Sequence, residues 1–177
     1  MFNNIALGPD GHTNHNLSVL RGKKRKGALA NDMKIISGIS FHADPALGLS
    51  GSYTSPPGRM LELEAHMQGA GEWVGLHFEF PARDISGAGV MGFAARISAA
   101  ETCVVQTCLR SMTEDGFQDC FFDKHLLLRP EESSHLDALQ IGYRDSLPLH
   151  AKWRELILFL PTESFNLALI DLRLFLV

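Results

Sequence analysis

The chain has 177 residues, of which 45% are hydrophobic and 20% are charged, a composition typical of globular proteins rather than disordered or fibrous ones. A domain of this length buries about 70% of the surface that its unfolded chain exposes, so its core needs no disulfide or metal to be stable. The net charge of −4 argues against nucleic acid and anionic membranes as partners of the whole molecule.

Cysteine usage and the N-terminal sequence set the expected compartment. Cys103, Cys108 and Cys120 are odd in number and lie within one apolar stretch, which favours reduced, buried thiols over a disulfide framework. The N-terminus lacks the apolar core of a secretory signal, and no stretch is long enough for a membrane helix. We therefore expect a cytoplasmic protein, and an extracellular location stays open.

Residues 1–33 differ in composition and hydrophobic pattern from the rest of the chain. They are rich in Asn, Gly, His and Lys, show no periodic apolar pattern, and contain the basic run RGKKRK at residues 21–26. This predicts a polar, basic and irregular N-terminal arm, followed by a folded domain over residues 34–177.

From residue 34 onward, short apolar runs alternate with Gly, Pro, Asp and Ser, the pattern expected of many strands and few helices. The run 73–80 is the clearest, because every second residue is apolar and successive side chains of a strand point to opposite faces. Nine strands are predicted at residues 34–41, 59–66, 73–80, 90–98, 103–110, 117–128, 135–143, 153–160 and 166–177.

The order of these elements predicts the fold class. No ten-residue helical pattern lies between the strands to serve as a parallel crossover, which excludes parallel α/β folds. An all-β antiparallel two-sheet sandwich of the jelly-roll type fits best. One segment allows two structures, since residues 133–139 also fit a short helix with Leu136 and Leu139 on its apolar side.

Several segments together carry a family resemblance. The loop DISGAG at residues 84–89 leads into one strand, LRS at 109–111 lies in another, and WRELILFLP at 153–161 precedes the closing strand LIDLRLF at 169–175. These segments resemble the galactose-binding-like jelly roll of noncatalytic carbohydrate-binding modules. The resemblance implies a sandwich that binds a glycan or glycoconjugate on an exposed sheet face, without catalysis.

A sugar site on a sandwich needs flat aromatic surfaces and polar side chains that bond hydroxyl groups in fixed directions. Outward strand positions supply such groups, although an ordinary solvated sheet face has the same pattern. The Trp rings at 73 and 153 stand at strand starts, where they either form stacking platforms or pack in the core or at the rim. The predicted ligand-binding residues are His77, Glu79, Arg96, Gln106, Arg110, Asp119 and Trp153.

Arginines of the last two strands give a further option. Arg154 and Arg173 suit a bidentate clamp on an acidic sugar, or structural pairing with the neighbouring Glu155 and Asp171. The basic run at residues 21–26 suits an anionic polymer, or simply a solvated tail.

Other functional classes stay open. Glu62 and Glu64 share a strand face and Glu79 is expected to join them if the strands pair, which would suit a polysaccharide lyase or hydrolase. A β-sandwich that binds a protein partner is the other alternative. No catalytic residue, metal site or cofactor is predicted; the spacing of His12 and His15 alone completes no metal site, and a calcium ion held by loop carbonyls is left open.

Overall fold

The computed structural model describes residues 10–177. One helix, α1 (Gly11–Gly22), precedes the strands, and a 3-10 turn covers Pro45–Leu47. The thirteen strands of the described part are β1 (Lys26–Ala28), β2 (Asp32–Ile36), β3 (Ile39–Ala43), β4 (Ser50–Thr54), β5 (Leu61–His66), β6 (Val74–Phe80), β7 (Val90–Ala99), β8 (Cys103–Thr113), β9 (Gly116–Phe121), β10 (Leu126–Leu128), β11 (Ser133–Gln140), β12 (Trp153–Leu160) and β13 (Phe165–Leu176).

The strands form two antiparallel sheets. The first sheet has the order β1-β4-β5-β13-β7-β11, and the second has the order β10-β8-β12-β6-β3-β2, with β9 also paired to β8. Neighbours in each sheet are mostly far apart in the chain, as in a jelly roll. The predicted all-β sandwich is confirmed.

The core lies between the sheets and follows the two-residue period of the sequence. Val74, Leu76, Phe78 and Phe80 of β6 are fully buried, as are the inward-facing residues of β7 and β12. Burial of these side chains is the dominant favourable contribution to folding. The sequence pattern therefore assigned the inner and outer faces of β6 correctly.

Several element boundaries differ from the prediction. The single strand predicted at 34–41 is a hairpin of β2 and β3, because Gly38 adopts a φ of 75° at the turn between them. The run 117–128 is interrupted after Phe121 and gives β9 and β10. Strands β1 and β4 were not predicted, and the ambiguous segment around Leu136 is a strand.

The N-terminal segment is the main correction. The prediction of an irregular arm is wrong for residues 10–33, because α1 packs on the sandwich and β1 pairs with β4. Leu17 and Leu20 of α1 join the core at 1% exposure or less. With so few apolar residues, the helix carried no visible hydrophobic period. The predicted arm residues 1–9 lie outside the described part.

Polar contacts fix α1 against the edge of β13. The first part of β13 pairs with β5, and this pairing ends at Leu169 of β13, so the β13 backbone beyond Leu169 lacks that partner strand. The Asn14 side chain donates from Nδ2 to the Leu174 carbonyl at 2.7 Å and accepts from the Leu174 N–H at 3.0 Å. Its amide thus replaces a neighbouring strand at this residue.

A buried arginine joins the two loops that precede β7 and β12. Arg154 is 2% exposed, and its guanidinium donates to the carbonyls of Ala82, Pro148 and Leu149 and to the Ser111 hydroxyl. Burial lowers the pKa of Arg154 to about 10, so the group stays charged at neutral pH. Arg154 is therefore a structural residue, and the option of an acidic-sugar clamp at this position is wrong.

The Asn14 contact predicts a specific loss of stability. Asn14→Ala removes both hydrogen bonds to Leu174 and should lower the free energy of unfolding by about 1–3 kcal/mol, measured by urea denaturation. The exposed helix residue His15 provides the control, and His15→Ala should change stability by about 0.5 kcal/mol or less. Equal effects of the two changes would contradict this role of Asn14.

Arg154 predicts a graded series. Arg154→Met leaves the buried Ala82 carbonyl and the partly buried carbonyls of Pro148 and Leu149 without their donor and should cost about 3 kcal/mol, whereas Ser111→Ala removes one neutral partner and should cost about 1 kcal/mol. Thermal unfolding of both variants measures the difference. A melting temperature for Arg154→Met as high as that of Ser111→Ala would refute the structural role.

Candidate functional site

Six of the seven predicted ligand-binding residues lie on the outward side of the second sheet. We call this surface, formed by the outward side chains of β6, β12, β8 and β9, the Trp153 face. The strands alternate strictly here, so an outward residue on one strand faces outward residues on its neighbours. The six residues are His77, Glu79, Gln106, Arg110, Asp119 and Trp153.

Strand register arranges the Trp153 face in rows that cross the strands. The first row contains Trp153 of β12, Met112 of β8 and Phe117 of β9. Trp153 is 40% exposed and Phe117 is 60% exposed, although both are large apolar side chains. Two exposed rings thus lie two strand spacings apart, or about 10 Å.

The second row is polar and adjoins the first. It contains Glu79, Glu155, Arg110 and Asp119, one from each of the four strands. Arg110 forms a bidentate ion pair with Asp119, in which Nε and Nη2 each donate to one carboxylate oxygen at 2.7 Å. This hydrogen bonding raises the pKa of Arg110 above its ordinary value.

Arg110 also connects the polar row to the aromatic row. Its guanidinium carbon lies 4.4 Å from the centroid of the Phe117 ring, within the range of a cation–π contact. The side chains of Arg110 and Asp119 are 22% and 21% exposed, so part of each polar group still reaches the surface. The pair is therefore held rigidly and can still bond a ligand hydroxyl.

A second aromatic pair lies further along the strands. The Phe121 and Phe159 rings stack with centroids 5.9 Å apart, and Phe121 is 44% exposed. Gln106 lies beside Phe159 in the register and contacts His125 at 3.3 Å. The Trp153 face thus has aromatic surfaces on both sides of its polar row.

His77 differs from the prediction. It belongs to the Trp153 face by register, but it is only 7% exposed. Its Nδ1 lies 3.1 Å from Glu155, and its ring contacts the His42 ring edge to face at 4.7 Å. Gly75 makes room for the imidazole, since a Cβ there would lie 2.5 Å from its Nε2. His77 is thus placed to orient Glu155 rather than to offer a broad contact surface.

Arg96 is the one predicted site residue that lies elsewhere. It is in β7 of the first sheet and points away from the core on the opposite side of the sandwich. Sequence order suggested one continuous face for β6, β7 and β8, but β6 and β8 belong to the second sheet while β7 belongs to the first. A jelly roll distributes consecutive strands in this way.

The same distribution separates the carboxylates considered for hydrolysis. Glu62 and Glu64 lie on β5 of the first sheet, where they contact Arg59 and His66, and Glu79 lies on β6 of the second sheet. The expected meeting of Glu79 with the β5 pair is wrong. These three carboxylates cannot share one cleft.

The cysteines and potential metal ligands add no further chemistry to the Trp153 face. Cys108 is an outward residue of this face, between Ile157 and Phe121, but its neighbours cover it completely. Burial and the Asp119 charge raise the pKa of its thiol, which therefore stays protonated at neutral pH. All three cysteines are free. Within residues 10–177, no three His, Cys, Asp or Glu side chains come together as a metal site, and no helix is long and apolar enough to span a membrane.

Sequence reasoning missed most of the aromatic surface. Phe117, Phe121, Phe159 and Glu155 were not among the predicted site residues. The signal for Phe121 and Phe159 was their outward parity on strands with clear alternation. This signal identifies a shared aromatic surface only once β9 and β12 are known to lie on either side of β8.

Comparison with solved structures identifies the fold. No family model and no curated protein sequence matches the chain. A family 4 carbohydrate-binding module matches with a TM-score of 0.59 at 9% identity, covering 85% of this chain and 95% of the module. The N-terminal cellulose-binding domain of β-1,4-glucanase C from Cellulomonas fimi gives 0.57 at 13% identity, covering 85% and 94%.

A third structure agrees with these two. The CBM22-1 xylan-binding domain of Xyn10C from Paenibacillus barcinonensis gives a TM-score of 0.55 at 9% identity, covering 85% of this chain and 93% of that domain. Identities this low carry information on the fold alone. The chain therefore has the jelly-roll fold of carbohydrate-binding modules.

Proposed function

We propose that this protein is a noncatalytic glycan-binding domain and that the Trp153 face is its binding site. The observation that carries the proposal is that two adjoining rows meet on this surface. The exposed rings of Trp153 and Phe117 form one row, and the fixed Arg110–Asp119 pair lies in the next. Aromatic rings pack against the C–H faces of sugar rings, and charged groups bond the hydroxyls. Both kinds of contact are available within one surface.

The spacing supports a chain ligand that crosses the strands. Trp153 and Phe117 are separated by about 10 Å across β8, which is the length scale of a disaccharide. The polar row runs parallel to this line, at a distance of two residues along the strands. A saccharide stacked on the two rings would thus keep its hydroxyl edge near Glu155, Arg110 and Asp119.

Relatives in fold suggest which glycans to test first. The matching structures include a cellulose-binding domain and a xylan-binding domain, so β-linked glucan and xylan chains are the first probes. The hydrolase alternative based on Glu62, Glu64 and Glu79 loses its support, since the first two carboxylates lie on the first sheet and the third lies on the second. A glycosidase needs two carboxyl groups that flank one bond.

A protein partner is the second candidate function. The outward side chains of Val104 and Leu127 are paired across β8 and β10, at 51% and 40% exposure, and extend the apolar surface beyond Phe121. Contiguous exposed apolar side chains often mark protein contacts. This patch lies at the β10 side, away from the Trp153 row.

The aromatic row predicts the effect of removing each ring. Trp153→Ala and Phe117→Ala should each weaken binding of cellohexaose or xylohexaose at least tenfold, because each loses a stacking surface. Isothermal titration calorimetry measures the affinity. Phe175→Ala removes a ring from the outer side of the first sheet and should leave the affinity within a factor of two.

The outcomes separate the candidate functions. Binding of either hexasaccharide that survives both ring removals would reject the Trp153 face as the site. Failure of a glycan array to bind the folded wild-type protein would reject the glycan proposal in favour of the protein partner.

The Arg110–Asp119 pair gives a second, independent test. Arg110→Gln combined with Asp119→Asn replaces the ion pair with two amides that can still contact each other. Affinity for the bound hexasaccharide should fall about tenfold, since bonds to charged groups exceed neutral bonds by about 1–2 kcal/mol. Unchanged affinity with reduced stability would assign the pair a structural role only.

A further inference from the structure

A depression lies on the side of the sandwich opposite the Trp153 face. We call the outward side of β13, β7 and β11 in the first sheet the Arg96 face. The depression has a volume of about 390 Å³, and its lining includes Ala94, Arg96, Ser134, Leu136, Asp171 and Arg173. It shares no residue with the Trp153 face.

Strand register explains why the sheet surface is hollow here. One row places Ala94 between Arg173 of β13 and Leu136 of β11, and the next places Arg96 between Asp171 and Ser134. Because Ala94 has the shortest side chain of its row, the longer neighbours rise around it. Leu136 is 61% exposed and forms an apolar wall.

Positive charge exceeds negative charge around the depression. Arg21 of α1 and Arg173 both approach the same oxygen of Asp171, Arg21 in a close ion pair and Arg173 at 3.8 Å. Arg96 lies 3.8 Å from Glu132, a distance that leaves its guanidinium loosely held. Three guanidinium groups thus have two carboxylates among them.

The exposed arginines keep most of their hydrogen-bonding capacity. The side chains of Arg96 and Arg173 are 51% and 59% exposed. Burial lowers the pKa of Arg21, and the charges of Arg173 and Arg96 lower it further, which agrees with the mutual repulsion of the three cations. An added anion would relieve this repulsion.

We propose that the depression over Ala94 is a second binding site, for a saccharide that carries a carboxylate or sulfate group. The guanidinium forks of Arg96 and Arg173 bind the oxoanion, the Ser134 hydroxyl bonds the sugar, and Leu136 contacts an apolar face of the ring. Guanidinium matches such oxoanions bidentately and holds its charge at every physiological pH. The site does not depend on the Trp153 face.

Calorimetric titration of the wild-type protein with trigalacturonate and with a sulfated disaccharide tests this site, with cellotriose as the neutral probe. At least one anionic probe should bind, and cellotriose should keep its affinity when the arginines are changed. Arg96→Gln combined with Arg173→Gln should weaken the anionic probe at least tenfold. The probe that binds distinguishes a carboxylate ligand from a sulfate ligand.

Two further variants separate specific recognition from diffuse charge. Lys23→Gln combined with Lys24→Gln removes the same charge from exposed positions in the basic run and should change the affinity less than twofold. Arg96→Lys combined with Arg173→Lys keeps the charge but loses the forks, and should give an intermediate loss. Thermal unfolding confirms that each variant is folded.

Three results would overturn the second site. The first is no binding of either anionic probe to the wild-type protein at millimolar concentration. The second is an equal loss of affinity in the Lys23 and Lys24 variant, which would indicate unspecific attraction. The third is full affinity in the Arg96 and Arg173 glutamine variant. The Trp153→Ala variant should bind the anionic probe normally, so failure of one site is distinguishable from failure of the other.

Discussion

β12 is paired along both edges, with β6 on one side and β8 on the other, and this pairing determines the geometry of the second sheet. The double pairing leaves each β12 residue only two directions, into the core or out of the sheet. Leu156, Leu158 and Leu160 fill the core, and the intervening positions form the Trp153 face. A slip of one residue would exchange these sets, so the apolar core fixes the register that assembles the rows.

Buried polar contacts hold the parts of the chain that the apolar core does not fix. The core alone does not hold the loops before β7 and β12, and Arg154 joins them by donating to three carbonyls. Asn14 has a similar role at the free edge of β13. Because an unpaired buried carbonyl costs more than a formed hydrogen bond gains, these residues act chiefly by preventing a loss.

The two outer faces of the sandwich differ in chemistry. The Trp153 face combines exposed rings with a tightly paired Arg110 and Asp119, whereas the Arg96 face combines an excess of loosely held guanidinium groups with a shallow hollow. The first arrangement suits hydroxyl-rich, neutral ligands, and the second suits anionic ones. A net charge of −4 hides this division, since composition averages over both faces.

The sequence by itself determined the fold class and the inward and outward positions of the long strands. Two-residue periodicity is a local property, and it placed Phe78 inside and Glu79 outside before any partner strand was known. Only the tertiary structure decided which outward residues meet: it brought Phe117 beside Trp153, moved Arg96 to the other sheet, and buried His77 against Glu155. Pairing between strands distant in the chain depends on the packing of the whole core, and no local pattern encodes it. For the same reason α1 escaped prediction, because side-chain bonds such as that of Asn14 to Leu174 become visible only when the helix is docked.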